Sequence, residues 1–302
     1  MSSHRHQGFP LAMLLLLGGL LVGCSRSGTE SPPSPKATPP IAISVPASAI
    51  YLVDSSSGSR REIVGSLPDF RSGFAAWNST HDRIAYGRDG ILVLDPTTGR
   101  TQTYVRGDGL TMPTFDPAST HLAYTDGISL WLTSLGRVSP RRIHIPAVLG
   151  PFGLAWSTDG FIAFEGVNLD CSQAVRCVST GSSEIWTIRS DGTALVRVTD
   201  VGHAESPKWS PDGSRLLFVR RYPSTANEGE LWTVDATGHA SRHLLSRSDV
   251  VAADWSPDGS KLAVITRGPR PATLQLWIGA ADGTGLRAVG SAFGGSQASI
   301  DW

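Results

Sequence analysis

Cysteine, charge and long apolar runs are all scarce in this sequence, and each scarcity narrows what the protein can be. The three cysteines are Cys24, Cys171 and Cys177, and no two of them form a Cys-x-x-Cys redox pair or a usual zinc half-site. Charged residues are 17% of the chain, 26 basic against 26 acidic. That balance excludes the strongly basic surface of a usual nucleic-acid-binding protein, and the runs of like charge are too short to make a charged tail. The longest apolar run, residues 11–22, falls short of the about 20 residues that span a bilayer. Linear catalytic signatures are missing as well: there is no Gly-x-Ser-x-Gly elbow, no His-Glu-x-x-His and no phosphate-binding glycine loop. Catalysis would need a site assembled from separate segments, and the sequence gives no reason to expect a metal or cofactor.

The apolar run follows a short segment carrying Arg5, His4 and His6, the proportions of a secretory signal peptide. It ends in Leu21-Val22-Gly23-Cys24, which resembles the lipobox of bacterial lipoproteins. The resemblance implies cleavage before Cys24, acylation of that cysteine, and attachment to a bacterial membrane, on the outer side of the cytoplasmic membrane or in the periplasm. Several acyl chains on one residue anchor a protein stably, whereas a single chain binds only marginally. Residues 24–40 are rich in proline and serine and cannot build a core, so they read as a semi-rigid stalk of about 3 Å per residue. The expected division is a signal peptide over 1–23, a stalk over 24–40 and a folded domain over 41–302.

Glycine (33) and proline (20) are plentiful, as suits short strands joined by turns, and the strands repeat. Trp209-Ser210-Pro211-Asp212-Gly213 leads into an apolar strand and recurs as Trp255-Ser256-Pro257-Asp258-Gly259. In both copies an apolar run containing Leu-Trp follows, closed by a second turn, which makes four strands per unit. Three looser copies are centred on Trp77, Phe115 and Trp156. The chain ends in Ser299-Ile300-Asp301-Trp302, a first strand alone, and the folded part begins with three strands that lack a first. The two ends complement each other as a sixth unit. First-strand aromatics at 77, 115, 156, 209, 255 and 302 recur at the period of propeller blades. The fold expected is all-β: a six-bladed β-propeller with four antiparallel strands per blade, closed by the C-terminal strand joining three N-terminal ones. All nine tryptophans fall in register in first or third strands, as expected of residues packing between blades.

Trp-Ser-Pro-Asp-Gly before an apolar strand, then Leu-Trp and an Asp-Gly-type turn, resembles the repeat of TolB-type propellers, a WD-repeat-like family found mainly in bacteria. The resemblance covers residues 41–302. Its motifs are specific in copies three to five and degenerate in the first two. It implies the six-bladed fold, the same closure and a general habit of binding proteins. The chain departs from TolB in having a stalk where TolB has an α/β domain, and in reading as lipid-anchored where TolB is soluble in the periplasm. A role in the Tol–Pal system does not carry over.

In such a repeat the first–second and third–fourth turns lie on one face, here termed the turn face, and the second–third loops and interblade links on the other, the loop face. Variation concentrates on the loop face, where function is usually found on a rigid scaffold. Its longest loop, residues 165–183, holds Cys171 and Cys177, expected as a disulfide in an exported protein, and Arg176. Arg220, Arg221, Tyr222, Arg267 and Arg270 are candidates for a patch that binds a protein or an acidic glycan. The segments entering the first strands carry a second candidate group at the channel mouth: His203, Glu205, Lys208, Asp254 and Asp301. His81 and His121 occupy equivalent turn positions and read as a repeat feature. The function expected is a membrane-anchored, extracytoplasmic scaffold for a protein partner of the cell envelope, with no nucleic acid involved. The alternatives are a carbohydrate-active lyase or hydrolase, or a small-ligand sensor, with its site at the channel mouth.

Overall fold

Each second strand is a run of apolar side chains buried on both of its faces, as in Ile84–Gly87 and in the middle of Lys261–Arg267. A strand of that kind must lie between two packed layers. The computed structural model describes residues 38–67, 73–136, 138–147, 149–170, 178–222, 225–245 and 247–302. It contains six four-stranded antiparallel sheets. The innermost strands are Gly73–Trp77, Thr111–Phe115, Leu149–Trp156, Ala204–Trp209, Val250–Trp255 and Ser299–Asp301, which begin blades one to six. Outer strands such as Arg60–Val64 and Thr101–Arg106 are largely solvated. No helix occurs among the described residues.

The ring closes as the repeats predict. Ser299–Asp301 pairs with Ile41–Val45 through Ala42 opposite Asp301, Ile43 opposite Ile300 and Ser44 opposite Ser299. Six apolar clusters form the core. The one at the closure packs Ile41, Ile43 and Trp302 of blade six against Ala263 and Ile265 of blade five. The tryptophans belong to these clusters, with Trp77, Trp255 and Trp302 almost wholly buried.

The first–second turns owe their shape to Ser-Pro-Asp-Gly. Asp212 Oδ1 accepts the Ser210 hydroxyl at 2.6 Å and the Ser214 N–H at 3.0 Å, and Gly213 takes a φ of 70°, a conformation glycine adopts without the Cβ clash. Asp258, Ser256, Ser260 and Gly259 repeat that arrangement.

Two long loops of the sequence reading are extended hairpins instead. In blade three, strands Phe161–Asp170 and Val178–Arg189 stay paired as far as Asp170 opposite Val178. In blade four, strands Arg215–Tyr222 and Thr225–Asp235 place Arg220 opposite Glu230 and Tyr222 opposite Thr225. The β-forming side chains near the tips, such as Val167, Leu169 and Tyr222, continue the ladder beyond the apolar core, so Arg220, Arg221 and Tyr222 are strand residues. Cys171, Cys177 and Arg176 lie outside the described residues, as do Cys24 and the segment with the lipobox.

Every inner strand of blades one to five is interrupted by a bulge, for example between Thr111 and Thr114 and between Glu205 and Lys208. Phe74, Met112, Gly153 and Ser206 take φ of 46°, 53°, 53° and 54° at four of them. A bulge re-aims the side chains around it, and non-glycine residues in the left-handed region persist only when their surroundings hold them there.

Candidate functional site

Two cavities lie along the channel. The first, about 480 Å³, opens on the turn face. Each inner strand there runs into an aromatic residue, followed directly in blades one to five by the first–second turn, so Trp77, Trp156, Trp209, Trp255 and Trp302 line it together. Turn residues such as Asn78, Pro117, Pro211 and Pro257 contribute to the same wall. Trp302 Nε1 donates to the Pro39 carbonyl at 3.1 Å, and Trp77 Nε1 to the Pro40 carbonyl at 3.0 Å. The last residues assigned from sequence to the stalk therefore dock on the closing blades.

The charged residues of this cavity form a closed network. Lys208 Nζ donates to Asp301 Oδ1 and lies 3.2 Å from Asp254 Oδ2. Asp301 Oδ2 accepts the Trp77 N–H at 2.7 Å, and Asp254 accepts the N–H groups of Trp255 and Trp302 at 2.8 and 3.1 Å. Burial pushes the Asp254 carboxyl up to about 7, with the Lys208 charge opposing burial and the Asp301 charge adding to it. For Lys208 burial acts downward, but the facing charges of Asp254 and Asp301 outweigh it and hold the ammonium above the ordinary lysine range. Such a network holds three inner strands together.

The second cavity, about 550 Å³, opens on the loop face and is lined by Glu165, His203, Glu205, Arg221, Tyr222 and Arg267, among others. Arg221 spends its guanidinium inside the protein: Nε donates to Glu205 at 3.0 Å, and Nη1 and Nη2 to the carbonyls of Val250 and Val251 at 3.0 and 3.1 Å. Arg267 Nη1 donates to the Ser296 carbonyl at 3.3 Å. Glu165 lines both cavities, together with Phe74, Met112, Ser206 and Ala298, and so marks the waist between them. Its carboxyl is pushed up to about 8, first by burial and then by the charge of Glu205, against the Ser206 N–H and Arg221, which favour ionisation.

The structure regroups the residues singled out from sequence. Lys208, Asp254 and Asp301 belong to the turn-face cavity, whereas His203 and Glu205 join Arg221, Tyr222 and Arg267 in the loop-face cavity. Arg220 stands apart on blade four, its guanidinium 5.2 Å from the Tyr222 ring centre and 5.5 Å from that of Trp232. Tyr222 Oη donates to Glu230 at 2.7 Å. Arg270 is exposed and lines neither of these cavities. His121 receives its order from its own turn, with Nδ1 3.2 Å from Asp116. Glu165 escaped the sequence reading, although a signal was there. It stands at the second-strand position held by Val219 and Ile265 in blades four and five, where an acid is out of pattern.

The geometry has counterparts among solved structures. A putative TolB from Agrobacterium tumefaciens superposes with a TM-score of 0.62 at 16% identity, over 86% of this chain and 91% of that one. The fold is that of a TolB-type propeller. A chain of a nidogen/laminin complex matches with a TM-score of 0.63 at 11% identity, over 86% of this chain and 97% of its own. An oligogalacturonate lyase in complex with manganese matches with 0.55 at 14% identity, over 84% and 73%. No protein-family model and no curated protein matches the sequence.

Proposed function

We propose that this protein is a membrane-tethered, extracytoplasmic scaffold of a bacterial cell envelope, anchored through Cys24, that binds a protein partner at its turn face. The observation that carries the reading is the turn-face cavity itself: aromatic and proline-rich walls around a charge network already satisfied within the protein. Concave, mostly apolar sites with a few placed polar groups are the usual form of a binding pocket. The comparison with a chain from a nidogen/laminin complex adds that this architecture occurs in a protein–protein assembly. A photo-crosslinking residue at Ser79, exposed on the cavity rim, tests the proposal in cells, with one at Arg270 as the loop-face control. The expected result is a protein adduct from position 79 that is lost when Thr158, also exposed on the rim, is replaced by tryptophan. Absence of any protein adduct from either position overturns the reading.

One observation favours a second reading, a carbohydrate-active enzyme. Glu165, held up to about 8 in the channel beside the Glu205–Arg221 pair, has the proton affinity a general acid or base needs near neutral pH. The similarity in fold to an oligogalacturonate lyase makes polyuronides the first substrates to try. Turnover by the full-length protein that is abolished in Glu165→Gln would establish this reading, and no turnover between pH 6 and 9 would end it.

A further inference from the structure

Six aromatic side chains line the turn-face cavity, one from each inner-strand position of the repeat: Trp77, Phe115, Trp156, Trp209, Trp255 and Trp302. Trp156 and Trp209 are half-buried, while their Nε1 atoms are buried. The surface these two residues keep therefore offers no indole N–H, and carbon makes up the exposed part of the ring. Among the described residues of the lining, the titratable side chains are the carboxyls of Asp116, Glu165, Asp254 and Asp301, with Lys208 and His81 as the basic groups. The described lining holds no arginine.

These carboxyls are satisfied in their hydrogen bonds but not balanced in charge. The two oxygens of Asp301 accept from Lys208 and from the Trp77 N–H, and those of Asp254 from the N–H groups of Trp255 and Trp302. Both oxygens of Asp116 accept from Thr120, and one accepts the His121 N–H as well. Glu165 keeps its proton at neutral pH, its carboxyl being pushed up to about 8, first by burial. Three carboxyls then remain against the one ammonium of Lys208. Burial, with the Asp301 charge adding to it, pushes Asp254 up to about 7 in spite of Lys208. A further positive charge in the cavity would meet carboxylate charge that Lys208 leaves over.

We infer that the turn-face cavity binds a small organic cation of the quaternary ammonium class, held among the first-strand aromatic rings. This inference rests on the turn face being the binding face, as in the scaffold reading, and adds a ligand inside the cavity whose rim the partner covers. Three physical points select the ligand. The surplus of carboxylate charge and the lack of arginine disfavour an organic anion. A primary ammonium or a guanidinium brings N–H donors, and here the acceptor oxygens already carry hydrogen bonds. Donors left unpaired in a partly buried site cost affinity, whereas a quaternary ammonium has no N–H to satisfy. Aromatic rings attract such a cation through their electron-rich faces, and its methyl groups cover ring carbon as an apolar ligand does. At about 480 Å³ the cavity lies within the usual size of small-molecule sites, about 300–1,000 Å³.

The probe is choline, titrated calorimetrically at neutral pH into the full-length protein in a non-ionic detergent. Two analogues accompany it: 3,3-dimethylbutan-1-ol, which has the same shape without the charge, and ethanolamine, which keeps the charge and adds N–H donors. Choline is expected to bind about tenfold more tightly than either. Replacing the tryptophans biosynthetically by 5-fluorotryptophan keeps the ring shape and thins the electron density over its face. Choline binding is then expected to weaken about threefold, with the uncharged alcohol unaffected. Thr158→Trp, placed on the rim, is expected to abolish choline binding. Failure of choline to bind, equal binding by either analogue, indifference to fluorination, or binding that survives Thr158→Trp overturns the inference. The comparison of the three ligands needs no variant, so it decides the matter even where a substituted protein misfolds. The scaffold reading is scored separately. No choline binding with the adduct from position 79 intact removes this ligand and leaves the scaffold standing, whereas choline binding with no protein adduct removes the scaffold alone.

Discussion

Lys208 of blade four and Asp301 of the C-terminal strand, 93 positions apart, bond directly to each other inside the channel. The same ammonium meets Asp254 of blade five, and the far oxygen of Asp301 takes the backbone N–H of Trp77 in blade one. One cation therefore links blades four, five and six, and through Asp301 the link reaches blade one. The C-terminal strand contributes only three pairs to its neighbour, so the network adds a side-chain clasp at the point where the ring is joined by strand pairing alone.

Replacing Lys208 by methionine should be severe. The buried Asp254 and the half-buried Asp301 would lose their counter-charge, and removing one member of a buried ion cluster costs about 3–5 kcal/mol. The triple variant K208M/D254N/D301N should recover part of that loss, because no uncompensated charge remains. Urea unfolding of the three proteins checks this. If K208M unfolds at the wild-type midpoint, the network contributes nothing to closure.

The clasp on the lead-in segment is a separate contribution. A chain beginning at Ile41 leaves the indole N–H groups of Trp77 and Trp302 without Pro40 and Pro39, and both rings are more than nine-tenths buried. Stranding a buried donor costs about 1–3 kcal/mol. The truncated protein should therefore unfold at lower urea than one beginning at Thr38, with little change in the slope of the transition.

Acid should unfold the protein partly through its turns. Asp212 and Asp258 are held down to about 2, first by the hydroxyls of Ser210 and Ser256. A carboxyl depressed in the folded state contributes stability above its unfolded value near 3.8, and that contribution disappears as pH falls toward 2. Both groups are largely solvated, so screening limits the effect to about 0.5 kcal/mol each. The double variant D212N/D258N should shift the acid-unfolding midpoint upward, and an unchanged midpoint would mean that these turns do not titrate with folding.

The architecture could be read from the chain because a repeat states the same local rule several times. Trp209 and Trp255 each precede Ser-Pro-Asp-Gly, and the unmatched ends at Ile41 and Trp302 can satisfy their strand edges only by meeting. The site was less legible. His203 and Lys208 are five residues apart, which suggested one cluster, but a bulge between Glu205 and Lys208 lies between them, and they line different cavities. Arg221 looked available and is consumed by Glu205 and two carbonyls, contacts set by how blades four and five pack. The tryptophans were legible as packing residues, whereas which indoles would find an acceptor depended on where Pro39 and Pro40 come to rest.

Glu165 gives a pH dependence of opposite sign to that of the turn aspartates. Its carboxyl is raised from an ordinary value near 4.5 to about 8 by burial and by Glu205, so between those limits the folded protein holds a proton that the unfolded chain has released. Stability then falls as pH rises through this window, by at most about 1.4 kcal/mol per pH unit. Below about 4.5 both states are protonated and the stability from the retained proton is fully present. Above about 8 both are ionised and it has been lost. Glu165→Gln keeps the shape and removes this titration, so its stability should decline less steeply than the parent's from pH 5 to 8, with the raised Asp254 carboxyl still contributing up to about 7. Glu205→Gln removes a charge that helps to raise the Glu165 carboxyl and should end the decline at a lower pH than in the parent, since burial alone would then hold Glu165 up. Thermal melts of the three proteins across that range decide it: parallel curves for parent and E165Q would show that Glu165 is ionised in the folded protein throughout.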